Sequence, residues 1–403
     1  MAVYLDHAAT TPMLPEAVAA FVDAMQVVGN PASIHSQGQN ARRMLEEARE
    51  QVARTLGCDP IEVVFTGNGT EAINLAIKGL FWSRPGERIL VPGGEHHATI
   101  DTVEWLEKHE GAVVEWLPLD ELGRVRLDAL DDALGVDPSS VALVTMLWAN
   151  NEVGTIQPVA EIAAIAAAHG VPLHLDAVAA YGHVPVDFAA LRAASGARGG
   201  TGLVALSVSA HKIGGPVGIG ALVLSRSATL EPLIHGGGQQ RQVRSGTQDV
   251  AAAVAFAAAA AVVVPDLDRE AARLGALRTR LVDGVVAEIP GVTVNGDPDP
   301  GGRLPGTAHF AFPGAQGDSL LFLLDAAGVS VSTGSACQAG IPEPSHVLIA
   351  MGRDDETSRG ALRVTLGRTT TEDDVDRLLA ALPAAYAQAA RAGLAERATS
   401  FDR

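Results

Sequence analysis

Residues 61–80 read IEVVFTGNGTEAINLAIKGL, and this stretch decides the fold class. Ile61–Phe65 has the β-branched and aromatic content of a strand, and Thr70–Leu80 carries apolar residues at helical spacing. Only a short turn separates them, with Gly67 and Gly69 letting the backbone reverse tightly. The same alternation runs outward. Arg88–Val91, Val113–Leu117, Val141–Met146, Leu173–Leu175, Val204–Val208 and Ala221–Leu224 are further β-rich runs. Ile100–Lys108, Leu127–Ala133 and Val159–Ala168 are helical patterns between them. Strands separated by helices predict an α/β fold with a mainly parallel sheet, covered on both faces, which explains near-continuous apolar strands.

The organisation changes after Asp249. Val250–Val264 is an alanine- and valine-rich run shorter than the ~20 residues of a membrane span, so it reads as a buried helix. Leu267–Glu288 reads as a long amphipathic helix. β character follows around Val292–Val294, Ala308–Phe312 and Leu362–Leu366, and a closing helix runs near Glu372–Ala390, together an α+β second domain. Asn295–Pro305 reads as a surface loop and Ala193–Gly202 (AASGARGGTG) as a flexible one.

The charge balance excludes one class of function. With 29 Lys+Arg against 47 Asp+Glu, the net charge of −18 argues against a nucleic-acid or anionic-membrane binder. The 2 cysteines, Cys58 and Cys337, match neither a disulfide framework nor a metal-ligand spacing, so no metal is expected. No basic-then-apolar leader opens MAVYLDHAATTP, and a cytoplasmic enzyme is the expectation.

Five segments carry candidate chemistry. Gly67–Ala72 (GNGTEA) fits both a dinucleotide fingerprint and a cup for one phosphate at a helix N-terminus, with a simple capped βα turn as the bland reading. Lysine occurs only at Lys78, Lys108 and Lys212. Lys212 lies between an apolar strand and a glycine-rich loop, where an ammonium needs a partner: either an ion pair or a Schiff base to an aldehyde cofactor. Asp176 ends a strand at the carboxyl edge of the sheet, placed to hold a protonated pyridine nitrogen or to cap the next segment. His96 and His97 in GGEHHAT follow another strand and could stack on a planar cofactor or move protons. Cys337 stands among Ser, Thr, Gly and Ala, a setting for an exposed reactive thiol, whereas Cys58 has none.

Taken together, the segments YLDHAATTP, GNPASIHSQG, EVVFTGNGTEAINLAIKG, EHHATIDT, NNEVGTIQP, HLDAVAAYG, SAHKIGGPVGIGAL, HGGGQQRQVRSGTQDV, STGSACQAG and LRVTLGRTTTEDDVD resemble, nearly end to end, the cysteine desulfurases of the NifS/IscS type. These are class V members of the pyridoxal-phosphate-dependent aminotransferase-like enzymes. The resemblance implies a transferase of fold type I. Its mainly parallel seven-stranded sheet would lie in a large domain (14–262), beside a smaller α+β domain (1–13 and 263–403) carrying the cysteine.

The resemblance also assigns roles. Lys212 would bind pyridoxal phosphate as a Schiff base, Asp176 would hold the pyridine proton, and His96 would stack on the ring and take part in proton transfer. Gly69, Thr70, Ser209 and His211 would hold the phosphate, with Thr247 reaching over from a second subunit of a homodimer. Asn151 and Arg363 would orient L-cysteine, Arg363 clamping its carboxylate. Cys337 would take the sulfur as a persulfide, release L-alanine and pass the sulfur to an acceptor protein of iron–sulfur cluster assembly or another thiolation pathway.

One departure stands out: Val178, Ala179 and Ala180 replace the family's usual Thr-Gln-Ser, so Ala179 cannot supply the glutamine's hydrogen bond to the cofactor. That substitution leaves a selenocysteine lyase as a near alternative. More distant ones are a dinucleotide-dependent oxidoreductase and a non-catalytic partner-binding subunit.

Overall fold

The computed structural model describes residues 2–334 and 344–397, with side chains to residue 391. After β1 (Val3–Tyr4) come β2 (Val63–Thr66), β3 (Arg88–Pro92), β4 (Val113–Leu117), β5 (Val141–Leu147), β6 (Pro172–Asp176), β7 (Gly202–Ser209) and β8 (Gly220–Leu224). Then follow β9 (Thr293–Asn295), β10 (Thr307–Ala311), β11 (Val329–Ser330) and β12 (Ala361–Thr365). Strands β2 to β8 form one seven-stranded sheet in the order β2-β8-β7-β6-β5-β3-β4. Its pairs are parallel except where β8 meets β2 and β7. The expected α/β architecture is present.

Only β8 runs against the others, so β2, β3, β4, β5, β6 and β7 all end at one edge of the sheet, and all but β4 lead into the loops described next. The loops that leave this edge begin after Thr66, Pro92, Leu147, Asp176 and Ser209. Open α/β sheets bind ligands at this edge, near the point where strand order reverses. Here the reversal falls between β3 and β5.

The alanine-rich helix Val250–Val263 packs against helices Pro15–Met25 and Ser36–Leu56, small side chains allowing close approach. With the helix Leu267–Glu288 after it, this run is long and apolar enough to cross a membrane by composition, yet half of its most apolar window is buried within the protein. Phe256, fully buried, meets Phe65 and Tyr181 edge-on at ring distances of 6.5 and 6.3 Å. Burying such a ring stabilises by about 3 kcal/mol, and each edge contact adds roughly 1 kcal/mol.

A second apolar cluster joins Val3 and Leu5 to Leu281, Phe310, Leu324, Val364 and Leu378. It lies on the antiparallel sheet β12-β10-β9 and the parallel pair β1-β11.

Two loop expectations need correction. Asn295–Pro305 is not simply a surface loop. Asn295 and Asp297 are buried, and the backbone N–H of Asp297 donates to Thr155 Oγ1 at 3.1 Å. Nor is Ala193–Gly202 free, because Arg192 straps it by donating to the carbonyls of Thr201, at 3.1 Å, and of Leu203. Ile61 also leaves β2 for a short 3-10 turn, Pro60–Glu62, after the proline.

Candidate active site

The strand ends surround a cavity of about 250 Å³. Gly69, Thr70, His96, Asn151, Asp176, Ser209, His211 and Lys212 all line it. Eight positions spread over 144 residues of sequence thus meet because five strands deliver them to the same edge.

The helix Gly69–Trp82 begins at the cavity, its end fixed by Asn68, whose side chain accepts the backbone N–H of Glu71 at 2.8 Å. The first-turn N–H groups and the helix dipole make this end attractive to an anion. Gly69 is required by crowding: a Cβ there would stand 2.9 Å from Val178 Cγ2 and 3.3 Å from Ser209 Cβ. Opposite, Lys212 follows β7 in the 3-10 turn Ala210–Lys212 and donates through Nζ to the carbonyls of Ala8 and, at 2.9 Å, Ala9. Lys78 lies elsewhere, its ammonium 4.1 Å above the Trp105 ring.

Asp176 is buried, and one oxygen accepts the backbone N–H of Val178 at 2.9 Å. It therefore caps a turn, but no helix follows. Burial pushes its carboxyl up to about 6. Burial, with Lys212 next in effect, holds the His96 imidazole down to about 4. Its Nδ1 accepts the N–H of Ala98 at 2.9 Å, which leaves the proton of the neutral ring on Nε2.

Asn151 Oδ1 and Ser209 Oγ are buried without a hydrogen-bond partner among the described residues. Such groups are costly unless a ligand satisfies them. A phosphorylated pyridine aldehyde fits this set: unpaired helix N–H groups and Ser209 for the phosphate, a buried carboxyl for the ring nitrogen, an amine for the aldehyde.

Arg363 does not line the cavity. It is buried beside it, with Nη1 donating to the Asn151 carbonyl at 2.9 Å and Nη2 to Asp6 Oδ1 at 2.9 Å, while Nε is unpartnered among the described residues. Thr247 is exposed and also outside the cavity of its own subunit. Cys337 lies outside the described residues. Burial first, and then nearby carboxylates, push the Cys58 thiol up to about 12, which agrees with the expectation of an unreactive cysteine.

Sequence reasoning missed several residues here. His7, His183, Leu304, Thr307 and Thr365 also line the cavity, and none has a local signal at its position. Glu95, next to His96 in sequence, was given no role either: it is buried, accepts the Leu147 N–H at 3.0 Å, and is held well above the usual carboxylate range by burial.

The chain belongs to the class V aminotransferase family, whose model matches residues 3–378. It is 52% identical over 402 residues to an IscS-like cysteine desulfurase of Mycobacterium tuberculosis, covering 98% of this chain and 99% of that one. A cysteine desulfurase IscS of Methanosarcina thermophila is 40% identical, with 95% and 91% covered. Among solved structures, a NifS-like protein superposes with a TM-score of 0.86 at 33% identity, covering 96% of this chain and all of its own. Within the family, then, the chain is a member of the IscS/NifS cysteine desulfurases, a pyridoxal-phosphate-dependent group, and the dinucleotide reading of Gly67–Ala72 is set aside.

Proposed function

We propose that this cysteine desulfurase removes sulfur from L-cysteine at the Lys212–Asp176 cavity, releases L-alanine and leaves the sulfur as a persulfide on Cys337. The convergence of Lys212, Asp176, His96 and the Gly69–Thr70 helix end on one cavity carries this reading. When bound, pyridoxal phosphate supplies an electron sink conjugated to the substrate α-carbon.

The chain's own groups do the rest. The Gly69–Thr70 amides, Ser209 and His211 hold the phosphate. The Asp176 carboxylate would pair with the ring nitrogen, and Lys212 Nζ would hold the aldehyde and carry a proton beside the substrate α-carbon. His96, neutral near pH 7, lines the cavity where the ring would lie and would take part in proton movement through Nε2. Asn151 and Arg363 orient the substrate. The Cys337 thiolate forms a bond to the substrate sulfur as the substrate's C–S bond breaks. The electron pair stays on the carbon, which a proton completes as the methyl group of alanine.

Exposed Thr247 suits a contribution to a second copy's phosphate site, so the working unit is a homodimer with residues 14–262 as its cofactor-binding domain. Residues 1–13 and 263–403 form the small domain. An acceptor protein, for iron–sulfur cluster assembly or another thiolation route, takes the persulfide sulfur in the cytoplasm.

Purified protein with pyridoxal phosphate, cysteine and a dithiol should yield alanine and sulfide in equal amounts. Cys337→Ser should abolish both while Cys58→Ser leaves them intact. Alanine formation at the parent rate by Cys337→Ser would overturn the reading.

A further inference from the structure

Glu152, in the turn after β5, is 1% exposed, a burial that a carboxylate tolerates only when its oxygens find partners. Its Oε2 accepts from Ser345 Oγ at 2.7 Å. Gly334 lies against the same group: a Cβ on it would stand 2.9 Å from Glu152 Cδ and Oε2, and its φ of 86° is left-handed. In sequence, Gly334 and Ser345 flank the segment that contains Cys337. Both sides of that segment therefore meet one side chain.

The turn bearing Glu152 is itself fixed. Asn150 Oδ1 accepts the backbone N–H groups of Glu152 and Val153, both at 2.9 Å, and Asn150 Nδ2 donates to the Gly94 carbonyl at 2.9 Å. Next to it, Asn151 lines the cavity. Ser332 exchanges backbone hydrogen bonds of 3.2 and 2.6 Å with Arg363, whose Nη1 reaches the Asn151 carbonyl.

We propose that Glu152 is a positioning residue for sulfur removal: it hydrogen-bonds Ser345 on one side of the Cys337 segment and packs against Gly334 on the other, beside the turn that presents Asn151 to the cavity. This rests on the role proposed above for Cys337. A purely structural carboxylate would weaken the fold and cofactor binding together, whereas a positioning residue alters the sulfur step alone.

The test compares Glu152→Ala, Glu152→Gln, Ser345→Ala and Cys337→Ser holoenzymes with the parent. It reads alanine formation, the visible absorbance of bound cofactor and the alkylation of Cys337 by iodoacetamide. The alkylation is read in a Cys58→Ser background, so that Cys337 alone reports. Glu152→Ala and Ser345→Ala should lower kcat by about 100-fold with little change in KM, the cost of misplacing a reacting group by about 1 Å. Both should alter the alkylation rate and leave the absorbance unchanged. Glu152→Gln, whose amide oxygen still accepts from Ser345, should recover part of the rate. The double alanine variant should lose less than the sum of the two, because the residues share one contact.

Parent-level kcat in Glu152→Ala, with Cys337→Ser inactive, would overturn this proposal alone, as would absorbance falling in step with kcat. Parent-level alanine from Cys337→Ser would overturn the reading of Cys337 and this proposal with it. Should Glu152→Ala fail to fold, Ser345→Ala decides, and parent kcat there overturns the proposal.

Discussion

Arg363 Nη2 and Asp6 Oδ1 lie 2.9 Å apart, an ion pair between positions separated by 357 residues. It joins the N-terminal segment to β12, and both side chains are largely buried, at 6% and 19% exposure. Removing one partner of such a pair strands the other charge, at a cost of about 3 kcal/mol. Asp6→Ala should therefore lower the unfolding free energy by roughly that amount and raise KM for cysteine more than it lowers kcat. Arg363→Lys should also raise KM, because a single ammonium does not reproduce the planar fork that spans Asp6 and the Asn151 carbonyl. Denaturant unfolding and steady-state kinetics test both. An unchanged KM in both variants would speak against Arg363 as the carboxylate clamp.

Gly69→Ala should weaken cofactor binding by roughly tenfold, or about 1.4 kcal/mol. The added methyl meets Val178 and Ser209 at 2.9 and 3.3 Å, pushing the proposed phosphate cup apart. Titration of cofactor-free protein with pyridoxal phosphate, followed by visible absorbance, measures this. Wild-type affinity would show that the cup has slack.

Acidification should destabilise the cofactor-free protein between pH 6.5 and 4. Burial holds His7, His96 and His211 down to about 4, and His174 and His309 down to about 3. Below pH 6.5 the unfolded chain protonates these imidazoles while the folded chain keeps them neutral, so stability present above pH 6.5 is lost as the pH falls. Asp176, raised to about 6, works in the opposite sense over part of this range: its folded form keeps a proton that the unfolded form has released. Glu95 acts in the same direction as Asp176. With His183, which burial also holds down, six imidazoles against two carboxyls leave a net loss. The urea midpoint should fall from pH 6.5 to 4.5, and a rising midpoint would contradict the sign.

Phe256→Ala should cost about 3–5 kcal/mol, the loss of a buried ring plus the cavity it leaves. Phe256 sits between Phe65, one residue before the end of β2, and Tyr181, five residues past Asp176. The variant should melt at lower temperature yet hold cofactor normally when folded. Calorimetry with and without pyridoxal phosphate tests this.

Much of the site was legible because its residues carry local signals. Gly67 and Gly69 announce a turn between a strand and a helix, and Lys212 is one of only three lysines. Asp176 marks the carboxyl end of an apolar strand, a position whose meaning depends only on the sheet being parallel. His7 and Thr365 lie in segments that carry the resemblance, but nothing local places either at the cavity. They reach the cavity through the β-bridge of Asp6 to Thr365, a pairing that no short window of sequence contains. The loop Asn295–Pro305 misled for the same reason. Its Gly/Pro content says that the chain turns, and says nothing of whether Thr155 waits beneath it.

By itself, the sequence determined the order of strands and helices, because hydrophobic period and turn chemistry are local. It also determined the short list of groups able to bind an aldehyde, a phosphate or a sulfur atom. The tertiary structure alone decided which of them meet. Parallel pairing brings the ends of β2, β3, β5, β6 and β7 to one edge, the Asp6–Arg363 pair brings β12 alongside, and Glu152 bonds to Ser345, more than 190 residues further on. These are long-range contacts, set by packing and charge pairing between segments that share no local pattern.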